Sequence, residues 1–174
     1  NTGYQSGRKA AMKGTDQWNE ALAKGCAKYG MDPILAKVIM AIETGGNIGL
    51  SNSLGTRGLF QIIPSRVDVK VDGAKLQKDG EYNVEAFCKV MKTKMSIIKS
   101  KGHPLTVEWA ARSWIGFGSS GAAYQAAFVK MYEGFGAKYS RTNPIMGNPT
   151  KSNSKGTGGV VGPDGKTVLE SGGS

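Results

Sequence analysis

One stretch constrains this chain more than any other: Asp32-Pro33-Ile34-Leu35-Ala36-Lys37-Val38-Ile39-Met40-Ala41-Ile42-Glu43, followed by Thr44 and the pair Gly45-Gly46. Asp32 is suited to cap a helix, and Pro33 fits the first helical position, where no amide proton is needed. Ile34, Leu35, Val38, Ile39 and Ile42 make the helix broadly apolar, so it should be buried. Gly45-Gly46 suits a left-handed C-terminal cap. A helix of this kind needs amphipathic partners around it.

Those partners can be read from the apolar spacing. Asp16 is placed to cap a helix from about Gln17 to Tyr29, with Trp18, Ala21, Leu22, Cys26 and Tyr29 on one stripe and Gly30 at its end. Asn83 is placed to cap another from Val84 to about Lys99, with Phe87, Val90, Met91, Met95 and Ile98 inward. Two more fit Thr106 to Trp114 and Ala122 to Tyr132. Between the second and third helices lie a Gly, Ser and Asn loop over 47–57, then Gly58-Leu59-Phe60-Gln61-Ile62-Ile63 closed by Pro64. That run reads either as a strand or as one turn of buried helix. Residues 65–80 are polar and read as a flexible lobe or a small hairpin.

The expected fold is therefore mainly α, with a small β or irregular lobe. The expected organisation is an N-terminal arm over 1–14, a domain over 15–139, and a disordered-looking linker or tail over 140–174, where Gly, Ser, Asn, Thr and Lys leave little to bury. The hydrophobic fraction of 39% suffices for one core. No run approaches the roughly 18 apolar residues that a membrane span requires. The chain opens at Asn1 without a signal-like pattern, which reads as a mature product or a piece of something longer.

Charge and cysteines narrow the chemistry. The net charge is +10, from 23 Lys and Arg against 13 Asp and Glu. Such a surface favours polyanions: nucleic acid, anionic lipid or the acidic bacterial wall. The basic residues are scattered and no nucleic-acid motif is present, so a nucleic-acid partner is not expected. Cys26, Cys88 and His103 are too few and too dispersed for a zinc site. His103 precedes Pro104 in a turn, a poor place for a triad base. The two cysteines read as buried thiols or, in an oxidising compartment, as a disulfide. Gly116-Phe117-Gly118-Ser119-Ser120-Gly121 spells a dinucleotide fingerprint. It follows a helix rather than a strand and no acidic residue lies at the required distance, so no cofactor is expected.

Glu43 remains. At the end of an apolar helix a carboxylate loses water and faces the negative end of the helix dipole, and both effects favour the neutral acid. A general acid working near neutral pH needs that shift.

The surrounding motifs extend this reading. Ala41-Ile42-Glu43-Thr44-Gly45-Gly46-Asn47, then Gly58-Leu59-Phe60-Gln61-Ile62-Ile63-Pro64, resembles the soluble lytic transglycosylase family, whose lysozyme-like fold is shared with goose-type lysozymes. That family has a helix ending in Glu-Ser-Gly, then Gly-Leu-Met-Gln-Ile and a Pro. Thr44 takes the Ser position here and Phe60 the Met position, while Gly58, Leu59 and Gln61 match directly. Asn83-Val84-Glu85-Ala86 looks like the family's Asn-Ile-Glu-Ala. The resemblance covers roughly residues 18–125. One motif departs: where the family carries Ala-Tyr-Asn-Ala-Gly-Pro-Gly, this chain has Arg112-Ser113-Trp114-Ile115-Gly116-Phe117-Gly118. Tyr124 or Tyr139 could supply the hydroxyl that the family takes from that tyrosine, and Trp114 could line a sugar groove.

The resemblance implies cleavage of the bond between N-acetylmuramic acid and N-acetylglucosamine in peptidoglycan glycan strands, with Glu43 as acid and then base and without metal or cofactor. Thr44, Gly58, Phe60, Gln61, Asn83, Trp114 and Tyr124 are the implied substrate-side residues, with the backbone around Gly58 and Phe60 holding sugars. Residues 44–67 contain no Asp or Glu, whereas ordinary glycosidases use two carboxylates. Two rivals stand beside this reading. One is a goose-type hydrolase with Asp68 or Asp72 positioning a water, and the other is a wall-binding or structural module without catalysis. The expected setting is the periplasm or cell wall, with delivery by a phage particle or secretion assembly that residues 140–174 would contact.

Overall fold

The structure is a computed structural model that describes residues 2–116, 121–146, 160–161 and 167–169; for 2–7 and the strand residues the backbone alone is described. It is mainly helical, as expected, and consistent with a lysozyme-like fold. The helices are α1 (Thr2–Gly14), α2 (Asn19–Tyr29), α3 (Pro33–Glu43), α4 (Gly73–Leu76), α5 (Gly80–Ser100), α6 (Val107–Ile115) and α7 (Gly121–Gly134). Among these residues no helix is long and apolar enough to cross a membrane.

Helix α3 is the centre. The Asp32 carboxylate accepts from the Ile34 amide at 2.9 Å, and Pro33 to Ala41 are all buried. Helices α1, α2, α6 and α7 surround it. Its single lysine, Lys37, is fully buried beneath the Phe135 ring at 5.0 Å. The ammonium donates to Asp16 at 2.7 Å and to Asn19. Burial lowers the Lys37 pKa, and Asp16 opposes that shift. This corrects the expected role of Asp16. It sits in a 3-10 turn, Thr15–Trp18, and α2 begins only at Asn19. A buried ammonium left without a counter-charge costs several kcal/mol, about 3–5, more than a missing cap at an exposed helix end.

Two further polar ties hold the bundle. The second Asp32 oxygen accepts from the Tyr132 hydroxyl at 2.6 Å and joins α7 to the start of α3. The Trp18 indole donates to the Gly46 carbonyl at 2.8 Å, just beyond the end of α3. Helices α2 and α5 pack closely, and a Cβ on Gly25 would strike the Val84 side chain. Cys26 and Cys88 meet at this seam as buried free thiols. Their mutual hydrogen bond, then burial, holds the Cys26 thiol well above its usual pKa.

Four further expectations are corrected. Residues 2–14, expected as an arm, form a helix. Helix α5 is capped by Asp79, which accepts from the Tyr82 amide at 3.0 Å, so Asn83 lies one turn inside rather than at the cap. Residues 65–80 hold a 3-10 turn at Pro64–Arg66 and the short α4. The domain also continues past Tyr139. Ile145 is fully buried, its carbonyl accepts from the Asp32 amide at 2.9 Å, and the Asn143 carbonyl accepts from Val107 at 2.8 Å. One buried isoleucine was too weak a signal in a polar segment to show this. Beyond Met146 the expected tail lies outside the described residues, apart from two short antiparallel strands, β1 (Val160–Val161) and β2 (Thr167–Leu169).

Candidate active site

The last turn of α3 ends at Glu43, and Thr44 starts a tight loop. The Thr44 hydroxyl donates to the Leu59 carbonyl at 2.8 Å, which ties the helix end to the Gly58–Ile63 run across fifteen residues. That run is neither strand nor helix. It is a turn held by bridges pairing Arg57 with both Ile62 and Ser51, so the small lobe is irregular.

Three residues shape this turn from within. Gly58 has φ +76°, and a Cβ there would collide with the Leu76 carbonyl and the Asn83 side chain. Asn83 is fully buried; its oxygen accepts from the Leu59 amide at 3.0 Å, and its amide nitrogen donates to the Leu76 and Asp79 carbonyls, each at 2.8 Å. Phe60 is also fully buried, stacked on Phe87 at 4.6 Å. The side chains of Asn83 and Phe60 therefore support the turn from beneath and do not face a strand, contrary to the expectation for substrate-side residues. Gly58 and Leu59 are buried as well, backbone included, so Gln61 is the one partly exposed residue of the Gly58–Gln61 run.

Gln61 is the one described non-glycine residue at positive φ, +52°. Such a conformation costs about 1 kcal/mol and is found where surroundings enforce it. Here its own amide helps: Oε1 accepts from the Thr56 hydroxyl at 2.7 Å, while Nε2 donates to the carbonyls of Gly58 at 3.0 Å and Leu50 at 3.1 Å.

Glu43 is half-buried. Burial raises its pKa to about 7, and the hydroxyl of Tyr124, 3.5 Å from Oε2, pulls it partly back. No second carboxylate among the described residues contributes to the shift. The hydrogen bond is long, as such contacts often are in an unliganded site. Tyr124, in the first turn of α7, is itself pushed well above its ordinary pKa by burial and by Glu43, so its hydroxyl stays protonated. Tyr139 accepts instead from Gln125 at 3.1 Å. Ser113, at the family's tyrosine position, is buried and bonds the Ala110 carbonyl at 2.9 Å.

A pocket of about 190 Å³ opens beside the turn, lined by Gln61, Ile62, Ile63, Arg66, Val67, Val90, Lys94 and Trp114. Trp114 packs on Phe87 at 4.9 Å, and Lys94 stands 5.5 Å over its ring. The structure thus joins Glu43 with Tyr124, links Thr44 to the turn bearing Gly58 and Gln61, and brings Gln61 to Trp114. Lys94 was missed in the sequence. Its signal was a lysine on the inward stripe of α5, four residues after Val90 and three after Met91. Of the alternative carboxylates, Asp72 caps α4 through the Ala74 and Lys75 amides, while Asp68 acts on Lys94.

No protein-family model matches the chain. No solved structure matches it either. Over 54 residues, 31% of the chain, it is 41% identical to the endo-type membrane-bound lytic murein transglycosylase A of Klebsiella pneumoniae, of which this covers 27%. Over 54 residues it is also 33% identical to the transglycosylase of Enterobacteria phage PRD1, covering 20% of that protein. The match spans about a quarter or less of the curated relatives' length. Over 31% of its length, then, the chain is similar to a bacterial lytic murein transglycosylase and to a phage transglycosylase.

Proposed function

We propose that this protein is a peptidoglycan lytic transglycosylase in which Glu43 acts first as acid and then as base. The observation that carries the reading is a half-buried carboxyl with a pKa near 7 and one protonated tyrosine as its partner. At neutral pH a large share of such groups holds a proton to give, and the carboxylate left behind is basic enough to take one back. Protonated Glu43 donates to the oxygen linking N-acetylmuramic acid to N-acetylglucosamine, and the bond from that oxygen to muramoyl C1 breaks. The muramoyl 6-hydroxyl oxygen then bonds C1 and returns its proton to Glu43, closing a 1,6-anhydro ring. The substrate's N-acetyl group steadies the anomeric centre between the two steps. Tyr124 orients the Glu43 carboxyl, and the partly exposed end of the turn at Gln61, with the pocket beside it, receives the sugars.

The similarity to lytic transglycosylases supports the class, and the solitary carboxyl supports an internal nucleophile over an activated water. A goose-type hydrolase would need Asp68 or Asp72, yet Asp72 serves a helix cap, and neither carboxylate contributes to the Glu43 pKa. Action in the periplasm or cell wall follows from the substrate. Mass spectrometry of digested sacculi tests the reading: anhydromuramoyl ends are expected, with a rate that falls above about pH 7 as Glu43 loses its proton. Reducing muramic acid ends would identify a hydrolase, and intact strands a binding module.

A further inference from the structure

We infer that the pocket beside Trp114 is a subsite for a carboxylate carried on the glycan, with Lys94 and Arg66 as its cationic contacts. The inference rests on the proposed function for its substrate class and deepens it.

Lys94 is half-buried, donates to the Ser113 carbonyl at 3.2 Å and lies over the Trp114 ring. Burial depresses its pKa, and Asp68 offsets part of that. A lysine on the inward stripe of a helix forgoes hydration that any of its exposed neighbours keeps. Lys94 lines an open cavity, and its ammonium ends on a backbone carbonyl and an aromatic ring rather than in an ion pair within 4 Å such as that of Lys37 with Asp16. Arg66, exposed on the short 3-10 turn after Pro64, adds a second positive charge at the rim. The rest of the lining divides by chemistry. Trp114, half-buried with Phe87 packed on it and Lys94 over its ring, gives the pocket an aromatic wall. Ile62, Ile63, Val67 and Val90 form an apolar wall, and Gln61 joins the pocket to the turn held by Thr44. A cavity with two cations, an aromatic wall and aliphatic walls matches a saccharide bearing a carboxylate on a short carbon chain. Muramic acid in a glycan strand is such a saccharide. Its carboxylate comes from the lactyl group where the stem peptide is absent, and from the stem peptide where it is present.

The test pairs a protein change with a substrate change. Glycan strands stripped of peptide and peptide-bearing strands are each assayed as they are and after their carboxylates are converted to methylamides. Wild type, Lys94→Met and Lys94→Arg are compared, with Arg66→Gln as a rim variant that leaves buried groups untouched. Loss of a charged contact should raise KM about tenfold with kcat little changed. Lys94→Met and amidation should each cause this loss, but together they should cost about tenfold rather than a hundredfold, because both remove one interaction. Lys94→Arg should restore most of it, and Arg66→Gln should show a smaller loss that also vanishes on amidated strands. An effect confined to stripped strands assigns the lactyl carboxylate, and one confined to peptide-bearing strands assigns the stem. Losses that multiply, or amidation without effect on wild type, would overturn the inference while leaving the enzyme reading intact. A wild type that cleaves no strand at all would remove both.

Discussion

Residues 33–41 and residues 44–62 adjoin in the chain, yet different forces hold them in place. The first segment is buried throughout and secured mainly by apolar contacts, with Lys37 tied to Asp16 and Asn19. The second is held by side chains reaching backbone: Thr44 to Leu59, Gln61 to Gly58 and Leu50, and Asn83 to Leu59 and Leu76. Apolar packing is nondirectional and tolerates repacking, whereas hydrogen bonds fix direction. A helix can be positioned by the first, but a turn that must be held at a set angle needs the second. Burial in this molecule therefore supplies stability, and the polar clamps supply the geometry beside Glu43.

The largest effect should come from Glu43, where the two regions meet. Glu43→Gln is expected to lower strand cleavage by at least about 10²–10⁴-fold, since both proton transfers use this group. The same change should stabilise the fold at alkaline pH. The folded-state pKa, about 7, lies above the ordinary 4.5, so the folded protein binds this proton more tightly than the unfolded chain. Stability is therefore lost as pH rises from about 4.5 to 7, by about 1–3 kcal/mol. Thermal melts should show Glu43→Gln above wild type at pH 8 and level with it near pH 4. A folded variant keeping more than about a tenth of wild-type turnover would remove Glu43 from the chemistry.

Next, Phe87→Ala and Asn83→Ala contrast the two kinds of support directly. Phe87 is fully buried between Phe60 and Trp114, and its truncation should cost about 3–5 kcal/mol. Asn83→Ala should cost about 1–3 kcal/mol by leaving the Leu59 amide and the Leu76 carbonyl unpaired, while the Asp79 carbonyl keeps its bond from the backbone amide of residue 83. If the comparison is right, the asparagine variant loses more kcat per unit of lost stability. Equal ratios from urea melts and kinetics on both proteins would break it.

A smaller effect is expected at Gln61. Gln61→Ala keeps the positive φ and deletes three hydrogen bonds, so stability should fall by about 1–2 kcal/mol. Its amide is engaged by the protein itself, so the melting temperature should drop before specific activity does. Activity lost at unchanged stability would mean that the amide contacts substrate instead.

Tyr124→Phe should have the mildest consequence. One long hydrogen bond is worth about 0.5–1.5 kcal/mol, so a rate loss of about 3–10-fold is expected. Because that bond holds the Glu43 pKa down, its removal should move the alkaline limb of the pH–rate profile to higher pH. A limb that stays put, or moves down, would show that Tyr124 does not act on Glu43.

Much of the helical frame was legible from periodicity, because an amphipathic stripe records burial within ten or twenty consecutive residues. The α3 helix, its Asp32-Pro33 start and the place of Glu43 at its end were all readable in this way. Lys94 on the α5 stripe carries the same signature, diluted by the other lysines of that helix. Other features required the assembled chain. That Tyr124 rather than Tyr139 meets Glu43 depends on how α7 crosses α3, eighty-one residues away. That Asn83 braces a turn instead of capping a helix depends on Leu59 and Leu76 arriving beside it. The helix at residues 2–14 follows the same rule. Its C-terminal Gly14 lies against Gly45 and Gly46 so closely that a Cβ at Gly14 or Gly46 would strike backbone, a contact no local pattern encodes. Local sequence sets which residues prefer to be helical and which must leave water. Partners for buried polar groups are chosen by proximity, and proximity between distant segments exists only once the chain has packed.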